Sequence, residues 1–124
     1  MALSSTEAEY IGMSIAVQEA LWLKSLLIEL SHKQNKIMIF GDNLSALAIA
    51  KGGQTNRSKH IDVRFHFIRD HLNRNTIGLG YINTNDLCAD VLTKNLNKIK
   101  HLNCIKFIGL CMSCQNLRGS VKNV

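Results

Sequence analysis

Proline is absent from all 124 residues. That excludes proline-rich linkers and leaves organisation to be read from charge, glycine and apolar patterning. No uninterrupted run of 18 apolar residues occurs, so no stretch reads as a membrane span and no membrane partner is expected. The N-terminus has no charged region leading into an apolar stretch and a small-residue cleavage site. Nothing there marks secretion, and an intracellular location, cytoplasm or nucleus, is the expectation. Acidic residues are missing from Val91 to the C-terminus, where six Lys and Arg stand alone.

What is present is a chain of one domain's length, 46% hydrophobic, which is ample for a core. Fifteen Lys and Arg against nine Asp and Glu give a net charge of +6, a balance that suits a polyanionic partner, most simply nucleic acid. Residues 51–74 carry Lys51, Arg57, Lys59, Arg64, Arg69 and Arg74 against only Asp62 and Asp70. The cysteines are Cys88, Cys104, Cys111 and Cys114. Without a secretion signal they read as free thiols. His101, Cys104, Cys111 and Cys114 lack the paired ligand doublets of a zinc ribbon, so semi-buried thiols are the simpler reading.

The segment Ile37–Ala50 organises the chain. Ile37, Met38, Ile39 and Phe40 form an apolar run without alternation, which predicts a strand covered on both faces, as in the centre of an α/β sheet. Asp42 follows directly, and a small-residue helix is predicted from Leu44 to Ala50. Strand-to-helix crossings of this kind open ligand crevices at the strand's carboxyl end, so Asp42 is the first candidate functional residue.

Upstream, Ser4-Ser-Thr-Glu7 has the form of a capping box and predicts a helix reaching about Leu30. At 100° per residue, Glu7, Ser14, Gln18, Ser25 and Glu29 gather into a polar stripe, and Ala16, Ala20, Leu23 and Leu27 lie opposite. Glu9 falls on the apolar side. A buried, unpaired carboxylate is costly, so Glu9 has two readings: a first-turn acid favoured by the helix dipole, or a carboxylate aimed inward toward a metal.

Downstream, Lys51–Ser58 reads as a loop whose Gly52-Gly53 pair ends the second helix. A third helix is expected from Lys59 to Asn73, capped by Ser58, with Ile61, Phe65, Ile68 and Leu72 as its buried stripe. Its histidines scatter around the axis and suggest solvated or hydrogen-bonded roles. Lys51, Arg57, Lys59 and Arg64 are the candidates for phosphate contact. Thr76–Ile82 alternates like a strand. A short helix follows, capped by Thr84 or Asn85 and running from Asp86 to about Thr93, with Leu87, Cys88, Val91 and Leu92 inward. Pattern alone makes Asp90 an exposed surface acid. A basic amphipathic segment covers Asn97–Leu110, and residues 111–124 lack periodicity and read as a disordered tail.

Carboxylates that cluster need a cation to neutralise them. Oxygen ligands favour Mg²⁺ or Mn²⁺, and two such ions can drive phosphodiester hydrolysis. The spacings of Glu9, Asp42 and Asp90 carry no specificity by themselves. The motifs around them do. Ser4-Ser-Thr-Glu-Ala-Glu-Tyr10, Trp22-Leu-Lys-Ser-Leu-Leu27, Gly41-Asp-Asn-Leu-Ser-Ala46, Lys59-His-Ile-Asp-Val-Arg-Phe-His-Phe-Ile-Arg69 and Ala89-Asp-Val-Leu-Thr-Lys94 occur in order. Together they resemble the RNase H domain that ends the Pol polyprotein of copia-type retrotransposons, over about residues 2–110.

The resemblance implies an α/β, RNase H-like fold over residues 1–110, and cleavage of RNA in RNA–DNA hybrids at a two-metal Mg²⁺ or Mn²⁺ site. It places the family's helix carboxylate at Glu9, its strand-end acid at Asp42 and its last acid at Asp90. All three are expected metal ligands and catalytic residues, and other Pol segments are expected partners. The departures are specific. The family's first strands, with another catalytic Asp, come before the Ser-Ser-Thr-Glu motif, so the fold is expected to be truncated and the metal site incomplete. Asn83, Asn85, Leu87 and Cys88 replace the family's Pro, Glu, Gln and Leu, and Asn95 replaces a Pro. Weak or absent nuclease activity is therefore expected. The alternatives are a non-catalytic nucleic-acid-binding remnant and a fragment that does not fold stably.

Overall fold

The computed structural model describes residues 4–52 and 59–110, with the side chains of 59–62 outside that description. The chain divides into two compact units, 1–82 and 83–124.

The first unit opens with α1 (Ser5–Glu29). Ser4 takes extended backbone angles and its side chain accepts a hydrogen bond from Glu7 N at 3.2 Å, satisfying one of the helix's orphan donors. The helix closes with His32 N donating to Leu27 O and Ser31 N to Ile28 O, a Schellman ending with Ser31 at φ 65°. The next elements are β1 (Ile37–Gly41), α2 (Leu44–Ala50), α3 (Lys59–Asn73) and β2 (Ile77–Tyr81). Asn43 caps α2 by accepting from Ala46 N at 2.9 Å, and Gly52, at φ 119°, follows its end as the loop glycine should. The α3 helix ends in the same Schellman pattern as α1, with Asn75 at φ 57°.

β1 and β2 pair in parallel, Ile37 with Ile77 through Gly41 with Tyr81. The core of the unit gathers Tyr10 and Val17 of α1, Ala46, Leu47 and Ala50 of α2, Phe65 and Ile68 of α3, and Ile77 and Leu79 of β2.

Three expectations about burial are corrected here. β1 is covered on one face only: Ile37 and Ile39 are half-buried, whereas Met38 and Phe40 are 48% and 53% exposed. Among the described residues the sheet has only two strands, and the helices of this unit cover one side of it. Met38 and Phe40 lie instead over Gly78 and Gly80 of the neighbouring strand, and this shields backbone that has no side chain of its own.

The second correction concerns α1. Its buried residues are Tyr10, Ser14 and Val17, flanked by Met13 and Leu21, and Glu9 is exposed. The buried face is thus rotated away from the predicted one, because apolar residues surround this helix and leave its phase undetermined by pattern. Ile15, Trp22, Leu23 and Leu26 stay exposed. By length and composition alone α1 could cross a membrane, although a helix from the core of a larger fold has the same character.

The second unit contains a 3₁₀ turn, Cys88–Leu92, and α4 (Lys98–Phe107) packed on it. The expected cap at Thr84 or Asn85 is replaced by an Asx-type turn, Asn85 N to Asn83 Oδ1 at 2.9 Å. Asn97 caps α4 through Lys100 N at 2.8 Å, and Gly109, at φ 86°, closes it. The third correction lies in the 3₁₀ turn. Leu92, expected inward, is 80% exposed, and Asp90, expected outward, is buried at 4%. A 3₁₀ turn advances about 120° per residue, so faces assigned at the α-helical 100° shift within one turn. The expected tail and the cap Ser58 lie outside the described residues.

Candidate functional site

Asp42 follows the last residue of β1 and directly precedes the α2 cap, half-buried in the turn between them. The strand's end anticipated from the sequence is where Asp42 stands, between a strand paired in parallel and the helix that follows it. Ala46 and Leu47, one turn into α2, are buried against the core and hold that turn in place.

Glu9 belongs to the same unit but sits exposed, one residue beyond the first turn of α1, where Glu7 is the acid, and it is not an inward carboxylate. Asp90 belongs to the second unit. In neither unit do three His, Cys, Asp or Glu side chains among the described residues gather to hold a metal.

Asp90 is tightly engaged. Its Oδ1 pairs with Lys94 Nζ at 3.1 Å, one helical step of four residues away, and its Oδ2 with Lys100 Nζ at 2.8 Å. Lys100 also donates to the backbone carbonyl of Thr84 at 2.6 Å. The hydrogen bond from Lys100 holds the Asp90 carboxyl below its ordinary pKa, against the opposing effect of burial, and Lys94 adds to the lowering. The two lysines were not anticipated as functional partners. The signal available was Lys94 four residues after Asp90, a spacing that brings charges together on a helical turn.

Cys88 and Cys104 are free thiols of the same unit, half-buried and buried. Burial pushes the Cys88 thiol up, with contact to Cys104 adding to the rise, so Cys88 lacks the lowered pKa of a reactive nucleophile.

The basic candidates are distributed unevenly. Lys51 is exposed at the end of α2. Arg69 lies beside the next residue, where a Cβ on Gly52 would meet its Nη2 at 2.7 Å, and its guanidinium carbon sits 5.2 Å above the Phe65 ring. That stacking holds a planar cation at the surface. Arg64 is half-buried, with Nη1 donating to the buried Ser14 Oγ at 3.4 Å. Arg74 pairs with Asp70 at 3.1 Å. Arg57 and the Lys59 side chain lie outside the described residues. Lys51 and Arg69 are thus exposed cations placed together where α2 ends against α3.

No family model matches the sequence, and no solved structure does. Curated proteins do. The chain is 38% identical over 111 residues to the retrovirus-related Pol polyprotein from transposon TNT 1-94 of Nicotiana tabacum, a match covering 89% of the chain. It is 36% and 35% identical to the Pol polyproteins from transposons RE2 and RE1 of Arabidopsis thaliana, each over 86% of the chain. The chain spans only 7–8% of the length of these relatives. It is therefore a homologue of one segment of the retrovirus-related Pol polyproteins of copia-type transposons.

Proposed function

We propose that this segment is the C-terminal part of the RNase H domain of such a polyprotein, and that the domain cleaves the RNA strand of RNA–DNA hybrids. The observation that carries the reading is Asp42 in the turn from a parallel strand into α2, the position at which α/β sheets present ligand-binding groups. The order of the five sequence motifs supports it, as do the exposed cations Lys51 and Arg69, which suit a phosphate backbone. The apolar exposed side of α1 and the uncovered Met38 and Phe40 suit a segment whose core continues into other parts of the polyprotein.

The activity implies a pair of divalent ions, Mg²⁺ or Mn²⁺. The residues present do not fit that pair as they stand: Glu9 faces solvent and both oxygens of Asp90 are engaged by lysine ammonium groups. What the chain itself supplies is a positioned carboxylate at Asp42 and a basic surface for the backbone, with weak or no cleavage expected from this segment alone.

The engagement of Asp90 favours a second reading, a non-catalytic nucleic-acid-binding remnant of the same element. A labelled RNA–DNA hybrid incubated with the chain and Mg²⁺ or Mn²⁺ separates the two. Cleavage that disappears in Asp42→Asn supports the nuclease and removes the remnant. Binding that falls steeply with salt, without cleavage or metal dependence, supports the remnant.

A further inference from the structure

The two lysines on Asp90 amount to more than a surface ion pair. Exposed pairs of long side chains contribute little, but Asp90 is almost fully enclosed and Lys100 is only 17% exposed. The Lys100 ammonium is fixed from both ends. Its backbone N–H is bound by the α4 cap Asn97, and its Nζ is shared between Asp90 Oδ2 and Thr84 O. The other lysine is drawn to the same carboxylate because Lys94 N donates to Asp90 O at 2.8 Å, folding the chain back over the turn.

We propose that Lys100 is the resident cation of Asp90: its ammonium holds the position a divalent ion would take, so that lysine pairing and metal ligation at this carboxylate exclude one another. Charge and geometry both require the exclusion. One carboxylate already faces two ammonium groups, and a divalent ion within bonding distance of Oδ2 would lie against the Lys100 Nζ at close range in a partly enclosed setting, where repulsion is poorly screened. No third His, Cys, Asp or Glu stands by to offset it among the described residues. Lys100 is thereby a positioning residue, joining the 3₁₀ turn to α4 and setting whether Asp90 is available to metal. The inference rests on the geometry of the second unit and stands whether or not the nuclease reading holds.

The test uses the full chain and Mn²⁺ as the probe. Amine acylation read by mass spectrometry is expected to modify Lys100 several times more slowly than the exposed Lys98. In amide spectra, millimolar Mn²⁺ is expected to leave Asp90 unbroadened in the unaltered chain and to broaden it in Lys100→Met, an effect lost when Asp90→Asn is added. Broadening of Asp90 in the unaltered chain accompanied by a rise in Lys100 acylation also supports exclusion. Acylation of Lys100 as fast as Lys98 overturns the proposal, and so does broadening of Asp90 while Lys100 stays protected. Should Lys100→Met lose its folded amide dispersion, the two measurements on the unaltered chain decide alone. Hybrid cleavage is not read in any arm, so failure here is distinguishable from failure of the nuclease reading.

Discussion

Arg64 Nη1 donates to Ser14 Oγ at 3.4 Å, tying α3 to α1 across 50 positions of sequence. Ser14 is fully buried in this unit, so its hydroxyl depends on a partner reaching in. A guanidinium drawn from the most basic stretch of the chain provides it. Part of the positive charge that suggested nucleic-acid contact is thus engaged in holding two helices together.

Arg64→Met is accordingly expected to destabilise the first unit by about 1–2 kcal/mol, the scale of a buried polar group losing a charged partner. Urea unfolding measures it. No loss of stability would show that the long hydrogen bond contributes nothing.

Lys51→Ala is expected to act differently, leaving the urea midpoint unchanged while lowering the slope of log affinity against log salt for an RNA–DNA hybrid by about 1. A parallel salt series on both variants separates the two roles. An unchanged slope would remove Lys51 from the interface.

Asp90 gives a pH dependence whose sign follows from its pairing. Its carboxyl lies below the ordinary value of 3.8, chiefly through Lys100. A depressed folded-state pKa contributes stability that is complete above the unfolded value and disappears as pH falls through the folded one. The packing of the 3₁₀ turn on α4 should therefore hold unchanged from neutral pH to about pH 4 and loosen only in stronger acid. Amide exchange of α4 between neutral and acid pH tests this, and loosening already complete near pH 6 would contradict it.

Ser31 occupies left-handed backbone at φ 65°, which costs a residue with a Cβ about 1–2 kcal/mol. Glycine loses more entropy on folding, so Ser31→Gly should gain about 0.5 kcal/mol in net stability. A small rise in thermal midpoint is the expected readout, whereas Ser31→Val should lower it.

The raised Cys88 thiol should react with iodoacetamide more slowly than a free cysteine at neutral pH and accelerate only in alkali, because the thiolate is the nucleophile. Peptide mapping after timed alkylation resolves Cys88 from the other thiols. Rapid labelling at neutral pH would show a different setting.

Much of the element order was legible from local signals. The Ser4 cap, the Leu44–Ala50 helix after Asn43, and the Lys59–Asn73 helix all have the expected extents. Those boundaries depend on capping side chains, glycine and short-range periodicity, which act within one or two turns. The location of Asp42 at a strand's end followed from the same local grammar.

Orientation was another matter. With apolar residues on every side of α1, the buried face was chosen by the packing of Tyr10, Ser14 and Val17 against α2 and α3, and that choice put Glu9 in solvent. Likewise the apolar run of β1 gave no indication that Met38 and Phe40 would lie open, since coverage depends on which other elements exist to provide it. Asp90 is the clearest case. An acid four residues before Lys94 is legible along the chain, but the folding of separate elements onto one another brought Lys100 from the next helix and Thr84 from the preceding loop to the same point. A buried charge is tolerated where long-range packing assembles its partners, and local pattern cannot encode that assembly.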